Sequence, residues 1–147
     1  MAMIQKIDSF RGKYYFLSNF FPAEVTYGGI TYKNNEAAFQ AQKVLDDEGR
    51  KAFADLPPKD AKRKGRHVRL RPDWEQVKDG IMEEIVRAKF TQNSQLKDQL
   101  LSTGNAQLIE GNTWNDCYWG VDTRTGVGQN HLGKILMKVR DELKGKP

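Results

Sequence analysis

The sequence predicts an α+β fold: a mostly helical single domain over residues 1–147 with a small antiparallel sheet. The run EVTYGGITYK places two β-favouring segments around Gly28-Gly29, which is typical of a hairpin. The runs RPDWEQVKDGIMEEIVRAKFTQN and HLGKILMKVRDELKG repeat apolar residues at helical spacing. A chain of this length can bury a core without metal or disulfide staples.

The first half of the chain combines strand and helix signals. KYYFLSNFFP is rich in aromatic residues and predicts a strand that ends at Pro22. After the hairpin, a helix is expected to begin at Asn34 or Asn35, since both are good N-cap residues. Short helices are predicted over about 47–54, before Pro57-Pro58, and over about 59–65.

The second half is dominated by two amphipathic helices. The first opens near Pro72, and its apolar stripe comprises Trp74, Val77, Ile81, Ile85 and Ala88. SQLKDQLLSTGN predicts a short helix capped by Ser94 and stopped at Gly104, and AQLIEG predicts a strand. The closing helix is expected to face the core with Leu132, Ile135, Leu136, Val139 and Leu143.

Composition narrows the class of protein. The single cysteine, Cys117, excludes an internal disulfide, and His67 and His131 lack the spacing of metal ligands. We therefore predict neither a metal nor a cofactor. The N-terminal stretch MAMIQKIDSF has no signal-peptide apolar run, and no segment approaches about 18 apolar residues. A soluble, cytoplasmic protein without a membrane partner is expected.

The positive charge is concentrated in one segment. The net charge is +5, while residues 59–71, KDAKRKGRHVRLR, contain seven Lys or Arg against one Asp. Such a block is either a solvated face or a binding site for phosphate, on a metabolite or on nucleic acid. Aromatic and basic residues do not alternate over a long stretch, which argues against extended nucleic-acid binding.

The segment NNEAAFQAQK carries two charged residues seven positions apart, Glu36 and Lys43. Glu36 falls in the first turn of the predicted helix, where free backbone N–H groups and the helix dipole favour its ionised form. The spacing places both residues on one helix face, about 10 Å apart along the axis and with Phe39 and Gln40 between them, too far for a direct salt bridge. The spacing suits a ligand between them, or simply a buried first turn followed by an exposed lysine.

Three other places hold polar residues that the helix and strand patterns do not require. Ser18 and Asn19 interrupt an aromatic run and could either bind a ligand or satisfy a turn. Asp116 lies among Trp114, Tyr118 and Trp119, where it could cap a turn or act as an acid or base beside a stacked ring. Gly126 and Gly128, in GVGQNHLGK, could let backbone N–H groups meet an anion at the N-terminus of the last helix.

A series of motifs resembles a known family. FLSNFFP, NEAAFQAQK, GR at 65–66, RPDWEQVKDGIM, KFTQN, LLSTG, NDCYWG and GQNHLGKILMKVR follow one another from about Phe16 to Arg140. In this order they resemble the YbiA-like, or NADAR, family. The resemblance implies the YbiA-like fold and a hydrolase that cleaves N-glycosidic bonds of ribose. Family substrates are early ribosylamino-pyrimidine phosphates of riboflavin synthesis and, in some members, ADP-ribose attached to guanine.

The resemblance also assigns roles to residues. Glu36 would stabilise positive charge on the ribose or activate water, and Lys43 could instead attack C1 to form a Schiff base. Asp116 would help to protonate the leaving base. Candidates for binding the substrate, through stacking, phosphate contacts or polar contacts, are Asn19, Arg66, Arg69, Arg71, Trp74, Trp119 and Asn130.

One departure leaves other functions open. The family usually has His after the first-turn Glu, and this chain has Ala37. Its loss would favour a non-catalytic binder of ADP-ribose or a nucleotide, and residues 59–71 would favour a nucleic-acid-binding module. The expected partner remains a small ribosylamine phosphate or ADP-ribosyl-guanine, with nucleic acid only as a modified substrate.

Overall fold

The computed structural model describes residues 5–145. The chain folds as two compact units: Asn19–Gln92 forms one, and the segments before and after it form the other. The prediction of a single domain over residues 1–147 stays a prediction. The elements in chain order are β1 (Lys6–Ile7), a 3₁₀ helix (Gly12–Leu17), β2 (Pro22–Tyr27), β3 (Ile30–Asn34), α1 (Asn35–Ala41), α2 (Asp47–Lys51), α3 (Pro58–Gly65), α4 (Trp74–Gln92), α5 (Ser94–Ser102), β4 (Gln107–Leu108), β5 (Gly111–Asn112), β6 (Val121–Asp122) and α6 (His131–Lys144).

The mixed α+β fold class is confirmed, and its antiparallel sheet is the predicted hairpin. Strands β2 and β3 pair antiparallel, with Val25 opposite Tyr32 and Tyr27 opposite Ile30. Gly28 and Gly29 both have positive φ, 59° and 83°. Two consecutive residues with positive φ match the twist of the flanking strands, and glycine adopts that conformation without steric cost.

Helix α1 follows the hairpin directly and is buried along its whole length. It packs against β3, α3 and α4. The predicted cap is confirmed, because the Asn34 side chain accepts a hydrogen bond of 2.8 Å from the backbone N–H of Ala37. This cap fixes the position of Glu36 in the first turn.

The assumption that α1 extends to Lys43 was wrong. The helix ends at Ala41, and the chain then tightens, with N–H groups of Gln42 and Lys43 bonded to the carbonyls of Phe39 (3.1 Å) and Gln40 (3.2 Å). These are bonds between residues three apart, which wind the chain more tightly than an α-helix does. The predicted separation of Glu36 and Lys43 assumed two turns of α-helix and therefore does not apply.

The remaining helices of this unit follow the sequence signals closely. Helix α2 is shorter than the predicted 47–54, and α3 starts at Pro58, where the missing N–H costs nothing. Helix α4 starts at Trp74 rather than Pro72. Its predicted positions Val77, Ile81 and Ala88 are only partly buried. The buried face of α4 comprises Trp74, Met82, Ile85, Val86, Lys89 and Phe90.

In the other unit, the predicted strand over KYYFLS was wrong, because this segment is a 3₁₀ helix. Its N–H groups bond within the segment, Tyr14 to the carbonyl of Arg11 and Ser18 to that of Tyr15. Phe16 and Leu17 are both buried although they are consecutive, which a strand with one buried face does not allow. The aromatic content indicated burial and did not determine the backbone conformation.

The same unit holds two short parallel pairs, β1 with β4 and β5 with β6. Strand β4 lies within the predicted AQLIEG segment. Ser94 is the first residue of α5 rather than its N-cap. Gly104, at φ 64°, follows the end of α5 as predicted. All five predicted core residues of α6 are buried: Leu132, Ile135, Leu136, Val139 and Leu143.

Candidate active site

Glu36 lies buried in the first turn of α1. Its backbone N–H donates to the carbonyl of Asn19 at 3.0 Å, and the residue is 8% exposed. The Asn19 side chain accepts a hydrogen bond from Asn35 at 3.4 Å and contacts the sulfur of Met82. Asn19, predicted to bind substrate, thus contacts the first turn of α1, through the backbone of Glu36 and the side chain of Asn35.

The carboxylate of Glu36 has a buried partner one turn along the helix. Gln40 Nε2 donates a hydrogen bond of 2.7 Å to Glu36 Oε2, and Gln40 is itself buried. Gln40 is one of two residues that the sequence shows between Glu36 and Lys43 on this side. The space predicted between Glu36 and Lys43 is therefore partly occupied by the Gln40 amide, which binds the carboxylate of Glu36.

Lys43 lies half-buried just after α1, against α3 and α4. Its ammonium donates to the backbone carbonyl of Gly65 at 3.3 Å and lies 5.9 Å from the centroid of the Trp74 ring. Burial lowers the pKa of Lys43, and the Glu36 carboxylate opposes this by raising it. The positive charges of Arg66 and Lys78 lower the pKa further.

Trp74 forms an apolar wall beside this lysine. Its ring is tilted against Phe39, with 5.1 Å between the centroids, and the residue is only 5% exposed. Trp74 was predicted to stack on the base of the substrate, and that role stays a prediction. In this arrangement most of its surface packs on protein, where it removes water from around Lys43.

The three predicted phosphate-binding arginines have different surroundings. Arg66 acts electrostatically on Lys43, and Arg66 and Arg69 are both exposed. The guanidinium of Arg71 is bound to both oxygens of Asp73, at 2.6 and 3.0 Å, and to the carbonyl of Gln42 at 3.4 Å. Arg71 therefore ties the segment before α4 to the chain beside Lys43.

Three other predicted residues, Asp116, Trp119 and Asn130, belong to the second unit. The Oδ1 atom of Asp116 accepts hydrogen bonds from the backbone N–H groups of Tyr118 (3.1 Å) and Trp119 (3.0 Å). This geometry is that of an aspartate stabilising a turn. Its predicted role as an acid stays a prediction.

The aromatic residues that follow Asp116 cluster near the start of α6. The Tyr118 ring lies 4.9 Å from that of Trp119 and 4.3 Å from that of His131, measured between centroids. Asn130, at φ 55°, precedes α6 and uses both ends of its amide, donating to Leu108 at 2.9 Å and accepting from Glu110 at 3.0 Å. These contacts give Asn130 a structural role in its own unit, and substrate binding by it remains a prediction.

Residues 5–145 contain no group of three or more His, Cys, Asp or Glu placed to hold a metal ion. Over the same residues, every helix is too short or too polar to cross a membrane.

Comparison with known proteins identifies the family. The NADAR domain matches residues 8–144, nearly the whole chain and both of its units. The chain belongs to the NADAR domain family. The family resemblance inferred from the eight motifs is thereby confirmed.

Individual proteins are similar to this chain over most of its length. N-glycosidase YbiA of Shigella flexneri is 42% identical over 129 residues, covering 86% of this chain and 79% of that protein. A riboflavin biosynthesis protein of Vibrio vulnificus is 41% identical over 133 residues, which are 87% of this chain and 35% of that longer protein. The NMR structure of Escherichia coli YbiA superimposes with a TM-score of 0.85 at 37% identity, covering 99% of this chain and 89% of that one.

Sequence reasoning assigned no role to three residues that contact or influence the Glu36–Lys43 pair of this NADAR chain. Gln40 and Gly65 make direct hydrogen bonds to the two residues, and Lys78 acts on Lys43 through its charge. The position of Gln40, four residues after Glu36, is the spacing at which helical side chains meet and could have indicated this contact. Gly65 and Lys78 come from other helices, and nothing local in the sequence links them to Lys43.

Proposed function

We propose that this protein is an N-glycosidase that hydrolyses the bond between ribose C1 and an exocyclic amino nitrogen of a base. The observation that carries this proposal is a half-buried lysine, Lys43, packed against Gly65 and Trp74 and near enough to the buried carboxylate of Glu36 for that charge to affect its pKa. A lysine nucleophile works as the neutral amine, which a lowered pKa makes available nearer to neutral pH. The names of the NADAR relatives support the same class of reaction.

In the proposed mechanism, Lys43 attacks C1 of the ring-opened substrate, which is a protonated imine between C1 and the amino nitrogen of the base. The new bond joins Nζ to C1, and Glu36 takes a proton from Nζ and delivers it to the departing nitrogen. The bond from C1 to that nitrogen breaks, the base leaves as a free amine, and C1 remains joined to Lys43 as a protonated imine. Water then adds to C1, the C1–Nζ bond breaks, and the ribose phosphate and Lys43 are released.

The preferred substrate in this proposal is a ribosylamino-pyrimidine 5′-phosphate. Arg66 adds positive charge near Lys43, which suits a substrate that carries a phosphate. ADP-ribose attached to guanine presents the same C1–amino bond and is the second substrate to be tested. Asp116 and Trp119 keep their predicted roles as proton donor and stacking residue, and the proposal does not depend on them.

The test is hydrolysis by the purified protein of a ribosylamino-pyrimidine 5′-phosphate and, separately, of ADP-ribosylated guanine in DNA. Release of free base together with the ribose product is expected, and most of it should be lost in Glu36→Gln while binding is retained. Tight binding of ADP-ribose without turnover of either substrate would instead make the protein a binder. Salt-dependent affinity for unmodified DNA or RNA, again without turnover, would make it a nucleic-acid-binding module.

A matched variant tests Asp116 on its own. Asp116→Asn keeps an oxygen that accepts the N–H groups of Tyr118 and Trp119 but removes the charge and the acidic proton. If Asp116 is the acid of the reaction, turnover falls although the melting temperature is maintained. Unchanged turnover would restrict Asp116 to stabilising its turn.

A further inference from the structure

We infer that Gln40 is a positioning residue for Glu36. We also infer that position 65 holds glycine because the Gln40 amide occupies the space that a side chain at this position would fill. The inference rests on the proposed function, in which Glu36 and Lys43 carry the chemistry. It concerns a different pair of residues, which the proposed mechanism does not use. Gln40 and Gly65 face each other from α1 and α3, which pack together.

The first observation is the orientation of the Gln40 amide. Its Nε2 donates to Glu36 Oε2 at 2.7 Å, a short distance typical of a hydrogen bond to a charged acceptor. The opposite rotamer would turn Oε1 toward the carboxylate and place two acceptors against each other. Gln40 therefore holds one carboxylate oxygen of Glu36 in a fixed place, and Glu36 fixes the Gln40 amide in return.

The second observation is what lies on the other side of that amide. Within the described part of the chain, Gln40 Oε1 is buried and has no hydrogen-bond partner. A Cβ atom added at Gly65 would lie 1.9 Å from this oxygen and 2.8 Å from Gln40 Cδ. Glycine at position 65 thus leaves room for the amide in the orientation that Glu36 requires.

The third observation is that the backbone at Gly65 does not itself require glycine. Gly65 is the last residue of α3, its φ is not positive, and alanine has the higher helix propensity. The carbonyl of the same residue accepts the hydrogen bond from Lys43. Gly65 of α3 therefore leaves room for the Gln40 amide that holds Glu36, and its carbonyl binds Lys43.

These contacts make Gly65→Ala a selective perturbation. The added methyl meets the end of a flexible side chain rather than backbone, so the fold should survive by displacing the Gln40 amide. The hydrogen bond to Glu36 is lost in that displacement. The matched control is Gly80→Ala, a helical glycine in α4 where an added Cβ has nothing within 4 Å.

The kinetic test compares wild type, Gly65→Ala, Gly80→Ala, Gln40→Ala and the Gln40→Ala/Gly65→Ala double variant on a ribosylamino-pyrimidine 5′-phosphate. Gly65→Ala and Gln40→Ala should each lower kcat about tenfold or more with KM within about twofold, since the contact acts on Glu36 and not on the substrate. The double variant should be no slower than Gln40→Ala alone, because the two residues act as one unit. Gly80→Ala should match wild type.

A spectroscopic readout separates this inference from the proposed function. The side-chain amide proton resonances of Gln40 in ¹H–¹⁵N spectra should shift in Gly65→Ala and in Glu36→Gln, and should not move in Gly80→Ala. An inactive wild type with these shifts present would overturn the proposed function and uphold the Gln40–Gly65 arrangement. An active wild type in which Gly65→Ala leaves kcat and the Gln40 resonances unchanged would overturn the inference, as would losses that multiply in the double variant.

Discussion

The ammonium nitrogen of Lys43 lies 5.9 Å from the centre of the buried Trp74 ring and within hydrogen-bond distance, 3.3 Å, of the Gly65 carbonyl. The indole stabilises a cation weakly through its π face, and the carbonyl at the end of α3 stabilises it further. Burial, together with the positive charges of Arg66 and Lys78, nevertheless lowers the pKa of Lys43 overall. A lower pKa makes the neutral amine of Lys43 more available at a given pH.

We predict that Lys43 forms a covalent imine with the sugar during turnover. Borohydride added to the reaction should leave a ribosyl adduct on Lys43, located by peptide mass spectrometry. Lys43→Arg is the matched control, since arginine keeps the positive charge and cannot form the imine. Full activity in Lys43→Arg would eliminate the covalent route and leave attack by water, with Glu36 stabilising the positively charged sugar.

The lowered pKa of Lys43 also predicts a pH profile. The amine attacks only when deprotonated, so kcat/KM should rise with pH and level off once Lys43 is neutral. Because burial lowers the pKa of Lys43, the midpoint of this rise should lie below pH 10.5, the ordinary value for lysine. A midpoint at or above that pH would mean that Lys43 is not the group that titrates.

Glu36→Gln should remove most of the catalytic activity and leave the fold intact. Glutamine has nearly the same shape, and the N-cap from Asn34 to Ala37 does not involve the Glu36 side chain. A loss of 100-fold or more in kcat is expected for a group that transfers protons in the reaction. The measurement is steady-state turnover together with a thermal melt, and turnover within a few-fold of wild type would remove Glu36 from the mechanism.

A small ribosylamine 5′-phosphate should be cleaved at least as efficiently as ADP-ribosylated DNA. The basic segment 59–71 is compact, and within it Arg71 is paired with Asp73 and Arg63 with Asp60. That leaves less positive charge for the several phosphate contacts that duplex binding requires. Competition between the two substrates at equal low concentration gives the ratio of kcat/KM. A preference of more than about 100-fold for the DNA, nearly 3 kcal/mol, would contradict this prediction.

Lys89 should make the stability of the protein depend on pH. This residue of α4 is 1% exposed, its ammonium lies 5.5 Å from the Phe21 ring centre, and burial lowers its pKa to about 7. Between about pH 7 and pH 10 the folded state holds Lys89 neutral, whereas the unfolded chain still protonates it. The unfolded state then binds more protons, so stability should rise with pH across this window.

The measurement is the free energy of unfolding of wild type and Lys89→Met at several pH values. The free energy of unfolding of wild type should increase relative to that of Lys89→Met from about pH 7 to pH 10. The total increase should be about 1.4 kcal/mol for each unit by which burial lowers the pKa of Lys89. Lys51→Met, at an exposed lysine of α2, is the control and should show little dependence. A constant difference between wild type and Lys89→Met would show that Lys89 is not buried in this way.

Local sequence signals determined much of the fold. Gly28-Gly29 specified the hairpin turn, Asn34 the start of α1, Gly104 the stop after α5, and the apolar spacing in α6 its buried face. Each depends on backbone conformation or periodicity within a few residues, which a sequence displays directly. Glu36 was located in a first turn on the same grounds, and the ordered motifs led to the NADAR family.

Only the tertiary structure decided what surrounds the two charged residues. The ends of α1 and of the KYYFLS segment were set by hydrogen bonds among residues three apart and by which side chains became buried, and aromatic content does not encode these. Gly65 and Trp74 reach Lys43 from α3 and α4, so the desolvation that lowers its pKa depends on how helices distant in sequence pack. The sequence supplied the carboxylate and the amine; packing decided how far Lys43 is removed from water and therefore in which direction its pKa moves.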